Sequence, residues 1–157
     1  MDLLFLIILG GLWGSFANVC IVRMPKDKGV VSGRSNCPKC KKQISWKDNI
    51  PIISYILLGG KCRKCKKPIS FRYVVVELLS IISFVLIYYL FALSWTTLLL
   101  IFLSLGFIII FFIDLEHFII PNLVTCPLMA IGFLKSFIPD LDPIFPNYIM
   151  SLIGGIF

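Results

Sequence analysis

A chain of 157 residues that is 59% hydrophobic and only 15% charged, with a mean hydropathy of +0.97, lies outside the composition of a soluble globular domain. A polytopic membrane protein is the class that remains. The formal net charge of +7 does not argue for a nucleic-acid partner, because 14 of the 15 Lys and Arg residues fall between Arg23 and Arg72, in one loop between apolar spans.

The first apolar segment, Leu3 to Val22, matches the roughly 20 residues needed to cross a bilayer. Asp2 precedes it and Arg23 follows it, a charge order expected of a retained anchor with its amino terminus outside rather than of a cleaved signal. Within it Gly10, Gly11, Gly14, Ser15 and Ala17 are small enough to let another helix approach closely.

Residues 23–73 form a hydrophilic island, cytoplasmic by the positive-inside rule. It carries Cys37-Pro38-Lys39-Cys40 and Cys62-Arg63-Lys64-Cys65 with 21 residues between the pairs, the spacing of a zinc ribbon in which two knuckles give four thiolates to one tetrahedral ion. Disulfides or a dithiol redox site would require an oxidising compartment, which a cytoplasmic loop lacks. Lys39, Lys41, Lys42, Arg63, Lys64, Lys66 and Lys67 favour thiolate over thiol. So small a loop buries little apolar surface, and a metal supplies the folding free energy instead; with four protein ligands and no open position, the expected role is structural. Cys20 and Cys126 fall in apolar spans and read as buried cysteines. No repeat of roughly 20 to 50 residues stands out.

The next spans are Val74 to Leu93, running outward, and Thr96 to Ile113, returning, with Ser94 and Trp95 as the turn. Glu77 falls about one turn inside the first of these, and Asp114 and Glu116 cluster at the cytoplasmic end of the second. Ionisable groups against hydrocarbon are costly and so become functional candidates, although Glu77 could equally serve by reaching the interface. Phe111, Phe112 and Ile113 beside Asp114 predict a desolvated carboxyl with a raised pKa, suited to half of an aspartyl pair that shares one proton across an activated water. His117, the single histidine, reads as an interfacial hydrogen-bonding residue rather than a metal ligand. Pro121 breaks the helix. A fourth span is expected over Leu123 to Ile138, with Lys135 snorkelling near its outer end, then an external loop at Pro139 to Pro143. Asp140 and Asp142, the only later carboxylates, are placed by parity on the opposite face, about 30 Å from Asp114. The apolar run from Tyr148 to Phe157 is about half of a span, from which the chain is expected to be the amino-terminal portion of a longer one.

Taken together, several blocks resemble the type IV prepilin peptidases, bifunctional leader peptidases and N-methyltransferases of bacteria. They are Gly14-Ser15-Phe16-Ala17-Asn18-Val19 with Arg23-Met24-Pro25, the four cysteines, Asn49 to Tyr55, Ile69 to Tyr73 with Glu77, and Asp114 with Ile120-Pro121-Asn122. Val74 stands where that family usually has proline and Asn122 where it often has aspartate. The resemblance implies an all-α polytopic membrane protein with a small cytoplasmic zinc-ribbon-like loop domain: a first transmembrane helix at 1–22, the tetracysteine domain at 23–73, and helices of an aspartyl peptidase domain at 74–157, incomplete at the carboxyl end. It implies Asp114 as one catalytic carboxylate, with the second in a Gly-x-Gly-Asp block beyond residue 157, so that peptidase activity is not expected of this chain alone. Structural zinc on Cys37, Cys40, Cys62 and Cys65, prepilin or pseudopilin substrates, S-adenosylmethionine as methyl donor and a multi-pass place in the bacterial inner membrane follow in the same way. No glycine-rich nucleotide fingerprint is present, so the donor site is left to Glu77 and the island as candidates. A non-enzymatic zinc-ribbon adaptor and a membrane thiol oxidoreductase are the competing functions.

Overall fold

A computed structural model of the chain describes residues 3–31 and 34–136. The end of the fourth span, the loop at Pro139 to Pro143, Asp140, Asp142, the run from Tyr148 and the side chain of Lys135 lie outside what is described. Five helices follow one another: α1 (Leu3–Arg23), α2 (Ile53–Leu57), α3 (Arg72–Phe91), α4 (Trp95–His117) and α5 (Asn122–Ser136), with short 3-10 turns at Met24–Lys26 and Trp46–Asn49. The described residues contain no extended strand, only two isolated antiparallel bridges in the island.

Helices α1, α3 and α4 are long and apolar enough to cross a membrane, and the chain is a multi-pass membrane protein. A helix is the form such segments must take, because it satisfies its own peptide groups where no water is available. Their polar residues turn inward: Asn18, Ser80, Thr96 and Thr97 are buried, while Phe5, Leu12, Ile82, Leu86, Phe107 and Phe111 are exposed to the surroundings.

The small residues of α1 do what their spacing predicts. Gly10 and Gly14, four apart and so on one face, press against α3 so closely that a Cβ would stand 2.8 Å from Cα of Ile81 and of Glu77 respectively. Ser80 fills the seam and returns its hydroxyl to the Val76 carbonyl at 2.9 Å, and toward the Arg23 end of α1 the Asn18 amide donates to the Tyr73 carbonyl at 3.0 Å. Helix α4 closes the bundle, with Leu105, Ile109 and Ile113 packed on Ala17, Cys20, Ile21 and Val76, and Val124 of α5 joining them.

Helix ends differ from expectation by a residue or two for local reasons. Ser94 is the N-cap of α4, its hydroxyl accepting from the Thr97 N–H at 3.1 Å, so Trp95 is already helical and the turn is at 92–94. At the other end α4 runs past Asp114 to His117, where Phe118 in the left-handed region donates its N–H to the Asp114 carbonyl. Helix α5 begins after Pro121 and carries Pro127 inside it, and Cys126 is exposed there rather than buried, whereas Cys20 is buried as expected.

Because the obstacle at Gly14 is backbone, Gly14→Leu should destabilise the protein by about 1–3 kcal/mol, as overpacking does. Gly132→Ala, where an added Cβ meets nothing within 4 Å, should leave thermal unfolding in detergent unchanged. Equal melting of both variants would contradict the packed seam.

Candidate functional site

The island is built from two copies of one local structure. Cys37 to Trp46 and Cys62 to Phe71 both read Cys-x-Lys-Cys-Lys-Lys-x-Ile-Ser-aromatic, 25 residues apart. In each copy the first cysteine donates its N–H to the second following lysine of the Lys-Lys pair, Cys37 to Lys42 at 3.0 Å and Cys62 to Lys67 at 2.9 Å. Its carbonyl accepts from Lys41 at 2.8 Å or Lys66 at 2.9 Å, and bridges at Asn36–Gln43 and Lys61–Pro68 close each knuckle. Contrary to the sequence reading, a repeat is therefore present. Its ten-residue units are shorter than the spacing between them, and the lysines, isoleucine and serine shared at matching offsets were the available signal.

The two knuckles bring the four Sγ atoms of Cys37, Cys40, Cys62 and Cys65 within 4.8 Å of one another, with Cys37 and Cys65 at 3.9 Å. A tetrahedral ion with bonds of about 2.3 Å to sulfur separates its ligands by about 3.8 Å, so the donor set fits a thiophilic divalent metal. Backbone N–H groups of Cys65 and Lys64 hold the Cys62 thiol down to about 6. The Lys67 amide acts on Cys65 in the same sense, yet burial and the three neighbouring sulfurs push that thiol up to about 11. Four sulfurs this close cannot all be anionic without a cation among them. Lys41 and Lys66, at φ 57° and 58°, hold a left-handed conformation that lysine rarely adopts.

Around the cysteines, Arg63 grips Asp48 with a two-pronged bond of 2.7 and 2.9 Å, tying the second knuckle to the 3-10 turn that follows the first. This guanidinium holds the Asp48 carboxyl below its usual range, but Arg63 is exposed and the pair contributes little stability.

Between the island and the ends of α1, α3 and α4 lies a cleft of about 830 Å³, of a size that suits a small ligand. Ser15, Asn18, Arg72, Tyr73, Glu77 and Glu116 line its helical wall. Glu77 is buried, accepting from the Ile52 N–H at 2.8 Å with the Ser15 hydroxyl as a second partner. Arg72 pairs with Glu116 and so joins the start of α3 to the end of α4. Two buried atoms on this wall have no protein partner, the acceptor Oδ1 of Asn18 and the donor Nε of Arg72.

Of the candidates from sequence, the cysteines converge, and Glu77 and Glu116 reach the cleft. Asp114 does not line it. Asp114 is exposed on the last turn of α4, and its spacing from Glu116 turns the two carboxylates apart. His117 is exposed beside them. Asn18 and Arg72 were missed as site residues; an asparagine inside an apolar helix was the signal for the first.

The model of the bacterial peptidase A24 N-terminal domain matches residues 8–91, more than half of the chain. A prepilin leader peptidase/N-methyltransferase from Klebsiella pneumoniae is 36% identical over 158 residues, covering 96% of this chain and 68% of its own length. The chain belongs to the prepilin leader peptidase/N-methyltransferase family. Relatives of the same name in Myxococcus xanthus and Vibrio cholerae are each 40% identical, over 88% and 85% of this chain. The chain spans 41% and 57% of the length of those two relatives. No solved structure matches it. The family match takes in α1 from residue 8, the island and α3, and with them all four knuckle cysteines, Asn18, Arg72 and Glu77; Asp114 lies beyond it.

Two outcomes are expected of the site. Purified protein should carry about one thiolate-bound metal ion per chain by elemental analysis and lose it in Cys37→Ser and Cys62→Ser, unlike Cys126→Ser. Glu77→Leu, which orphans the Ile52 N–H, should cost about 1–3 kcal/mol of stability, while Glu77→Gln keeps an acceptor and should cost less.

Proposed function

We propose that this chain is the amino-terminal part of an enzyme that removes the leaders of type IV prepilins or pseudopilins and methylates the amino terminus that cleavage exposes. The island faces the cytoplasm and the amino terminus of α1 lies outside, in the bacterial inner membrane, an orientation supported by the concentration of Lys and Arg in one loop. The observation that carries the peptidase reading is the place of Asp114 one turn from the end of an apolar helix, two residues from the Glu116 that pairs with Arg72. A carboxylate at that depth meets a substrate whose apolar helix lies in the bilayer and whose basic leader stays in the cytoplasm.

Asp114 acts as one member of an aspartyl pair, the second coming from the Gly-x-Gly-Asp block that the family resemblance puts beyond residue 157. One carboxylate takes a proton from water while the other, protonated, hydrogen-bonds the scissile carbonyl; water oxygen adds to the carbonyl carbon and the proton passes to the leaving amine. Zinc held by Cys37, Cys40, Cys62 and Cys65 folds the island and takes no part in that step.

When bound, S-adenosylmethionine would supply an electrophilic methyl group for the new amine. The cleft suits its amino-acid end: Glu77 and the unsatisfied Asn18 Oδ1 offer acceptors to an ammonium, and Arg72, with its unsatisfied Nε, offers a donor to a carboxylate.

In membranes bearing the full-length gene product, Asp114→Asn should lower prepilin cleavage by about 10²- to 10⁴-fold, the range for a general acid or base. Methyl transfer to a pilin peptide that is already cleaved should persist in that variant. Cleavage at the unsubstituted rate would remove Asp114 from the mechanism.

A further inference from the structure

The basic island contains one long stretch without charge, the eleven residues Ile50 to Gly60. Apolar runs of that length are too short to span, and position in the fold decides between a buried core helix and a re-entrant or interfacial segment. Its position in the fold is unusual for a cytoplasmic loop. The Pro51 ring packs on Gly11, 3.3 Å from where a Cβ would stand, with the Ile81 side chain against the same point. Gly11 lies twelve residues from Arg23, and Ile81 nine residues from Arg72, which is about 18 and 14 Å along the helix axes from those charged ends. Loop residues that remained in the cytoplasm could not reach that level of two membrane-spanning helices.

At the bottom of this descent the chain reverses. Ile52 takes φ 60° and ψ −51°, the rare γ-turn conformation, with the Ile53 N–H donating to the Pro51 carbonyl. Irregular backbone is tolerated at membrane depth only where the protein itself satisfies it. Most of the segment's N–H groups meet that condition. Pro51 has no N–H to satisfy, and the Ile52 N–H goes to Glu77. Ser54 donates to Ile50, Ile56 to Ile52 and Leu58 to Ser54, while the Ser54 hydroxyl also turns back to the Ile50 carbonyl. The segment then climbs as α2 until Tyr55 meets Phe71, just before α3. Along this climb Ile53, Ile56 and Leu57 are 55%, 69% and 78% exposed, a large apolar area to leave in water. Pro51, at the head of this segment, packs beside Gly11 of α1 and Ile81 of α3, whose chain neighbours Leu12 and Ile82 are exposed on the outward surface.

We infer that residues 50–58 form a re-entrant segment that dips into the bilayer beside α1 and α3, and that lipid acyl chains cover Ile53, Ile56 and Leu57. The inference rests on α1 and α3 crossing the membrane and not on the catalytic reading. In this arrangement Glu77 has a definite task inside the span, holding the one irregular N–H at the deepest point.

The test uses the full-length protein without substitution, reconstituted in phosphatidylethanolamine and phosphatidylglycerol vesicles containing a phospholipid with a mid-chain diazirine. After illumination, adducts are mapped by mass spectrometry. The 50–60 peptide should be labelled at a yield of the same order as the peptide containing Ile82 and Leu86, and at least about tenfold above the knuckle peptides around Cys40 and Cys65, whose charged residues keep them out of hydrocarbon. Labelling of the α3 peptide with none on 50–60 overturns the inference. So does lipid labelling at 50–60 that is lost when prepilin is co-reconstituted or when the chain is crowded, because the occupant is then protein. None of these results depends on cleavage or methylation activity.

Discussion

A peptide group in a bilayer core has no water to bond, and that single constraint organises what α1, α3 and the Ile50–Gly60 segment do. The spanning helices meet it within themselves. Where two of them touch, Gly10 and Gly14 let backbones approach until α3 lies against α1 with almost nothing between them, and the attraction comes from close packing rather than from excluding water. The buried polar residues are mostly spent on the same requirement: Ser80 on a carbonyl of its own helix, Asn18 on the carbonyl of Tyr73, and Glu77 on the N–H of Ile52. A charged residue type inside a span thus serves as backbone repair, which is one of the few uses that offset the cost of putting it there.

The island follows a different rule. It has almost no hydrophobic core, Cys37 being its one buried apolar side chain among the described residues, and its order comes from closed loops. Each knuckle is a short turn whose sulfurs could share a partner only when both are formed, so a metal there would join two local structures that neither burial nor strand pairing holds. The left-handed Lys41 and Lys66 fit this account, since an unfavourable lysine conformation persists where other bonds over-determine it. Arg63 with Asp48, and Arg23 with the carbonyls of Gly29 and Arg34, fasten the turns to one another and to the end of α1.

Features set by chemistry within a few residues were legible in the sequence. The spacing of Cys37, Cys40, Cys62 and Cys65, the apolar lengths of α1, α3 and α4, the breaks near Ser94 and Pro121 and the small residues of α1 all carried through. What was lost depends on which residues meet across the fold. Nothing local marks Ile52 as the partner of Glu77, or Arg72 as the partner of Glu116, because hydropathy records how apolar a residue is and not what stands opposite it. The same limit explains Cys126, apolar by sequence but exposed on α5. Ile50 to Gly60 was hidden by its surroundings: averaged with the lysines on both sides, its lack of charge disappears.

Arg72 ends the island and begins α3, and its guanidinium holds Glu116 on the last turn of α4. Two residues earlier on that turn is Asp114, and one residue later the helix stops at His117. The terminal turn of a helix frays readily, and here its register is clamped from outside by a side chain whose own position is fixed by the fold of the second knuckle and the start of α3. Thermodynamic linkage then runs in both directions. Anything that loosens the thiol cluster makes fraying around Asp114 easier, and anything that orders Asp114 tightens the thiol cluster.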